Sequence, residues 1–191
     1  MRIAVFSGSF NPIHNGHTQL ANHLIMNNIV DEVWLIVSPC NPLKDITNQL
    51  DEYIRLDMVI AAISGNNRIK ASDIEFSMPI PSYTIDTLNH LSEMFDEHQF
   101  VLIIGSDNAI IFDQWKDYDE LLKRYEVYVY PRKGYDFSTV KGKYPSMQVL
   151  NTPFFDVSST QIRQMIQNKQ DVSDLIHPDV YDYIKENNLY E

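Results

Sequence analysis

Short apolar runs alternate along this chain with stretches in which apolar positions recur every three or four residues. Residues 2–6 form the first run and predict a strand. From His17, the positions Leu20, Ala21, Leu24, Ile25 and Ile29 trace one face of a helix. Residues 33–37 are continuously apolar, the pattern of a strand covered on both faces. A polar, proline-bearing loop spans residues 38–50. From about Asp51, Ile54, Met58, Ala61 and Ala62 predict the inner face of a second helix. Residues 69–76 read as a strand with an irregular end. After Pro79-Ile80-Pro81, Ser82 or Thr84 is placed to cap a helix with Ile85, Leu88, Leu91 and Phe95 inside. Residues 100–104 are the strongest strand and end on Gly105-Ser106-Asp107. Short helical pieces reach Arg124. Strands follow at residues 126–130 and near 148–150, then helices at 160–168 and 178–187.

Strands and helices alternating at this length predict an α/β fold: a doubly wound, mostly parallel sheet with helices on both faces. With no internal repeat and no long linker, residues 1–191 read as one domain with a helical tail from about residue 158. In such a fold, ligands bind beyond the carboxyl ends of the strands. Residues 8–17, 38–44, 105–107, 131–132 and 156–163 all fall there.

Composition narrows the function classes. The chain is 44% apolar and 21% charged, as expected of a globular protein able to bury a core. Fifteen basic against 26 acidic residues leave a net charge of −11, which argues against a nucleic-acid surface. Small anionic ligands need only a local basic cluster. The single cysteine, Cys40, cannot form an internal disulfide. No run approaches the ~20 residues of a membrane span, and the apolar start is too short for a signal peptide. A reducing, cytoplasmic setting is expected.

Residues 8–17, Gly-Ser-Phe-Asn-Pro-Ile-His-Asn-Gly-His, carry the strongest chemical signal. They lie at the turn from the first strand into the first helix. Gly8 and Ser9 let backbone N–H groups approach a phosphate closely. His14 and His17, three residues apart, share a helical face at a helix start, where the backbone dipole favours anions. A second cluster, Ser158-Ser159-Thr160-Gln161-Ile162-Arg163, sets three hydroxyls at another helix start, with Arg163 one turn beyond Ser159. Gly105-Ser106-Asp107 places a carboxylate where ribose hydroxyls are held in dinucleotide sites. Trp115 suits either core packing or stacking on a planar ring. Lys44, Arg55, Arg132 and Lys133 default to solvated surface; Lys44 and Arg132 rise above the others because they follow strands at the ligand edge.

The two motifs together make the chain resemble the nucleotidyltransferases of the HxGH superfamily, and among them the bacterial nicotinate-nucleotide adenylyltransferase family. The similarity runs along almost the whole chain. Asn41-Pro42-Leu43-Lys44 resembles that family's proline-lysine loop in a looser form, and Arg55-Leu56-Asp57-Met58 its second-helix signature. Residues 81–88, Pro-Ser-Tyr-Thr-Ile-Asp-Thr-Leu, match its pyridine-nucleotide segment. Asn11 stands where many members carry Asp, which removes one negative charge near the phosphates. The resemblance implies attack by a mononucleotide 5′-phosphate on the α-phosphate of ATP, with Mg²⁺ carried mostly by the phosphates and no protein nucleophile. It assigns His14, His17 and Arg163 to catalysis. Gly8, Ser9, Phe10, Gly105, Asp107, Arg132, Ser158 and Ser159 would join His17 and Arg163 around ATP. Lys44, Ser82, Tyr83, Thr84 and Trp115 would hold nicotinate mononucleotide. Other adenylyltransferases of the superfamily, using nicotinamide mononucleotide or phosphopantetheine, and a non-catalytic nucleotide sensor are the alternatives.

Overall fold

Ile3, Ala4, Val5 and Phe6 are all buried, as an interior strand with both faces covered requires. The computed structural model describes residues 1–40 and 49–191. Among these, β1 (Arg2–Gly8), β2 (Glu32–Val37), β3 (Ile69–Ser72), β4 (Gln99–Gly105), β5 (Glu126–Tyr130) and β6 (Gln148–Val149) form one sheet. Its order is β3-β2-β1-β4-β5-β6, with every pairing parallel. The chain thus winds outward from β1 in one direction through β3, then returns to the far side of β1 with β4. A crevice at the carboxyl ends of β1 and β4 follows from that reversal.

Side-chain alternation sorts the core into two layers. Ala4, Phe6, Val33, Leu35, Val37, Val101 and Ile103 face one side. They pack there against the helices α1 (Asn15–Met26), α2 (Glu52–Ala62), α6 (Ser159–Gln167) and α7 (Pro178–Glu186). Ile3, Val5, Trp34, Ile36, Phe100, Leu102 and Ile104 face the other. That layer meets α3 (Thr84–Met94) and the short helices α4 (Ser106–Ile110) and α5 (Tyr118–Arg124). Helices on both faces of a parallel sheet are what the alternating pattern predicts. Among the described residues no helix is long and apolar enough to cross a membrane.

Several local expectations are corrected. The run 69–76 is not one strand: β3 ends at Ser72 and a 3₁₀ turn, Ile74–Ser77, follows. That turn carries the Glu75 carboxylate inward, where Ser82 Oγ and Thr87 Oγ1 donate to it at 2.6 and 2.8 Å. Ser82 is therefore engaged and Thr84 lies inside the helix; Tyr83 is the N-cap of α3, with no side-chain capping bond. In α2 the fully buried face is Arg55, Met58, Val59 and Ala62, while Ile54 and Ala61 are only partly covered. Arg55 is 0% exposed and not solvated. Ile29 lies beyond the end of α1, partly buried on the same core.

Candidate active site

A cavity of about 720 Å³ opens at the carboxyl edge of the sheet, between the two layers. That lies in the upper part of the ~300–1,000 Å³ range for small-ligand sites. The turn from β1 into α1 forms its floor. Gly8, Ser9, Phe10, Asn11, His14 and His17 all line it. Phe10 is 2% exposed and packs its ring edge-on against Phe6 and His17, at 5.9 and 5.0 Å between centroids. The turn is thereby anchored in the core, and the imidazole of His17 is held between aromatic rings.

His14 caps the start of α1, and its backbone N–H donates to His17 Nδ1 at 3.2 Å. With Nδ1 accepting, the neutral His17 ring carries its proton on Nε2. The two imidazoles stack, with centroids 3.7 Å apart and planes at 23°. Burial first, and the nearby Arg132 charge second, push His14 down to about pKa 3. Unliganded, His14 is therefore a neutral ring at neutral pH. Gly16 is required here by close approach: a Cβ on it would stand 2.9 Å from Val157 Cγ1, on the segment leading into α6.

Helix α6 closes the turn from above. The Ser158 side chain caps it by accepting the Gln161 N–H at 3.2 Å. Ser159 Oγ donates to the Pro12 carbonyl at 2.8 Å, and Arg163 Nη1 to the Asn11 carbonyl at 2.7 Å. The three hydroxyls are thus not simple donors to an anion. Ser158 is a cap, the Ser159 proton is engaged with the turn, and Thr160 Oγ1 accepts from Arg163 Nη2 at 3.3 Å. The helix start and the rest of the Arg163 fork remain to meet a negative ligand.

Arg132, after β5, lines the cavity and ion-pairs with Asp107 at 3.1 Å. Asp107 itself does not line the cavity, whereas Gly105 and Asn108 do. Any side chain at Gly105 would displace that pair, since its Cβ would press on both Asp107 Oδ1 and Arg132 Cδ. Lys133 pairs with Asp156 on the surface at 2.9 Å, as the default reading has it.

The far wall comes from the other layer. Ser82, Tyr83 and Thr84 bring the uncapped start of α3 to the cavity. Its first acidic residue, Asp86, is neutralised by Lys116 at 2.9 Å, and the same ammonium lies 4.9 Å from the Tyr83 ring centroid. Trp115 combines both of its sequence readings: half-buried, it packs on Phe112 with centroids 5.0 Å apart and also lines the cavity. Its Nε1 is buried with no hydrogen-bond partner among the described residues. Lys44 and its loop lie outside the described residues.

Of two residues that matter here, Glu75 escaped the sequence reading and Arg55 was read as solvated surface. Glu75 holds Ser82 and Thr87 and so sets the start of α3. Arg55 donates to the carbonyls of Leu50, Ser9, Ser38 and Pro39 at 2.7–3.2 Å, joining the β1–α1 turn to the loop after β2. Arg55 did carry a signal, since it stands at i relative to Met58, Val59 and Ala62 on the buried stripe of α2.

A parallel sheet with this switch point, and imidazole and guanidinium groups gathered over a helix start, define a nucleotide-binding transferase fold. The chain belongs to the cytidylyltransferase-like family, whose model matches residues 5–165. Over their full lengths, this chain and a protein of Flavobacterium psychrophilum described as a probable nicotinate-nucleotide adenylyltransferase are 41% identical. A protein of the same description from Bacteroides fragilis is 44% identical over 94% of this chain and 89% of its own. Within the wider family, the chain is thus a member of the nicotinate-nucleotide adenylyltransferase group. In fold it matches the Plasmodium falciparum nicotinic acid mononucleotide adenylyltransferase complexed with NaAD. That match has a TM-score of 0.83 and 24% identity, over 99% of this chain and 97% of the other.

Proposed function

We propose that this protein joins nicotinate mononucleotide to ATP, forming nicotinate adenine dinucleotide and pyrophosphate. The observation that carries the reading is a single cavity with two unlike ends. One end gathers His14, His17, Arg132, Arg163 and the start of α6; the other is the uncapped start of α3 beside Tyr83, Trp115 and Lys116. The first suits a triphosphate. The second suits a planar ring bearing a carboxylate, which backbone N–H groups at a helix start receive well.

In the reaction, an oxygen of the mononucleotide 5′-phosphate attacks the α-phosphorus of ATP. The bond from that phosphorus to the bridging oxygen breaks, and pyrophosphate leaves with the electron pair. No covalent enzyme intermediate is needed, so the protein's part is alignment and charge stabilisation. His17 Nε2–H and His14 stabilise charge growing at the α-phosphate. Arg163, Arg132 and the α6 start hold the β- and γ-phosphates, with Gly8, Ser9 and Phe10 supplying the turn. Asp107 holds the adenosine ribose after exchanging part of its contact with Arg132. Ser82, Tyr83, Thr84 and Trp115 frame the nicotinate ring, and Lys44 is assigned to the mononucleotide on the resemblance alone.

The cavity carries one lining carboxylate among the described residues, Glu75, which already accepts the Ser82 and Thr87 hydroxyls, and Asp107 close by is paired with Arg132. Such a site fits a Mg²⁺ ion held by ATP phosphate oxygens rather than by a cage of side chains. The ion would supply further neutralisation of the polyphosphate. Cys40 as a lone thiol agrees with a reducing, cytoplasmic setting.

Pyrophosphate release tests the reading. It should be much faster with nicotinate mononucleotide than with the nicotinamide form, because only the former carries the carboxylate that the α3 start receives. Equal rates would remove the carboxylate preference. Turnover of phosphopantetheine instead would point to another branch of the superfamily. Tight ATP binding with no turnover of any acceptor would indicate a sensor.

A further inference from the structure

The segment after α7 returns to the phosphate-binding turn. Val180, Ile184 and Leu189 bury in the same layer as α1 and α2. The backbone then turns through left-handed conformations at Asn188 and Tyr190, with φ of 48° and 67°. A bulky residue adopts that region only when its surroundings compensate for it. For Tyr190 the compensating contact is specific: its hydroxyl donates to Asn11 Oδ1 at 2.7 Å. Burial holds the phenol well above its usual range, so it stays a neutral donor, with the charges of Arg163 and Arg55 nearby.

Asn11 is 7% exposed and lines the cavity, whereas Tyr190 does not. The backbone carbonyl of Asn11 takes Arg163 Nη1, and the next carbonyl, that of Pro12, takes Ser159 Oγ. A single turn residue is therefore gripped twice, at its main chain by a cation that faces the cavity and at its side chain by Tyr190. The tail also holds the start of α1, where the Asn15 N–H and Nδ2 donate to the carbonyls of Leu175 and Asp174 at 2.8 and 3.0 Å.

We propose that Tyr190 is a positioning residue for ATP: through Asn11 it sets the phosphate-binding turn and the Arg163 fork in their receiving geometry. The proposal rests on the function given above. Tyr190 touches no substrate and acts only through the turn.

Tyr190→Phe keeps the ring that fills the space and deletes only the donor. Affinity for a non-hydrolysable ATP analogue, measured by calorimetry, should fall about five- to tenfold, the scale of one lost buried hydrogen bond. The KM for ATP should rise in parallel, while the acceptor KM stays within about twofold and Tm within a few degrees. Asn11→Ala should weaken the analogue at least as much, and adding Tyr190→Phe to it should cause little further loss, because the Tyr190 hydroxyl acts through the Asn11 side chain. Unchanged affinity in Tyr190→Phe overturns the proposal. So does a fall in Tm with both KM values shifted alike, which would make Tyr190 merely structural. If the wild-type protein itself binds no ATP analogue, the proposed function fails instead.

Discussion

Each histidine of the pair has a separate physical assignment. His17 accepts the His14 N–H at Nδ1, so the hydrogen of its neutral ring sits on Nε2. If that N–H stabilises charge at the α-phosphate, His17→Ala should lower kcat by about 10²-fold or more, with smaller changes in KM. Steady-state rates of pyrophosphate release measure this, and an unaltered kcat would reassign the residue. In the proposed function Trp115 is assigned to the acceptor end. Trp115→Ala should raise the mononucleotide KM and leave the ATP KM in place, since the indole lines the wall beside Tyr83 and not the phosphate turn. A variant that unfolds would reduce Trp115 to a packing role on Phe112. The histidine pair was legible in the sequence because spacing of three at a helix start is a local property. The Asn11–Tyr190 bond was not, because 179 residues separate its partners.

At the scale of elements, α2 and α3 show how helices position a site that they scarcely enter. Arg55 projects from the buried stripe of α2 and satisfies four carbonyls across two loops. Burial lowers its pKa, yet an arginine remains protonated throughout the ordinary pH range. Arg55→Met would leave those carbonyls without their partner. At 1–3 kcal/mol for each buried group left unsatisfied, partly relieved by water at the loop ends, unfolding stability should drop by about 3 kcal/mol or more. Urea denaturation with an unchanged m-value would register it. The existence of both helices was legible from apolar spacing. The charged residue within the buried stripe of α2 reads as solvent-facing by type and as core by position, and only packing chose between them. Glu75 is the same case in reverse: in a run that looks like a strand, a buried carboxylate with two hydroxyl donors bends the chain into a 3₁₀ turn.

At the scale of the whole molecule, the net charge of −11 coexists with a cavity lined by His14, His17, Arg132 and Arg163. Burying an imidazole, with the Arg132 charge beside it, gives stability a pH dependence. In the fold, His14 titrates near 3 instead of 6.5. Its depressed value means the native state refuses a proton that the unfolded chain accepts. Its contribution is therefore fully present above about pH 6.5 and is lost as pH falls toward 3. By about pH 5 the loss amounts to roughly 2 kcal/mol, or about 4–8 °C in Tm. The wild-type unliganded protein should lose that much more Tm between neutral pH and pH 5 than His14→Asn does, as scanning calorimetry can measure. Equal losses would show that His14 is not buried as described. The order of strands and helices, the histidine-bearing turn after β1 and the resemblance to adenylyltransferases were determined by the sequence alone, since each rests on periodicity or on neighbours within one turn. The meeting of α3 and α6 over one cavity, the burial of Arg55 and Glu75, and the return of Tyr190 to Asn11 were decided only by the tertiary structure. They depend on contacts between segments far apart in the chain, where no local pattern constrains which polar group finds which partner.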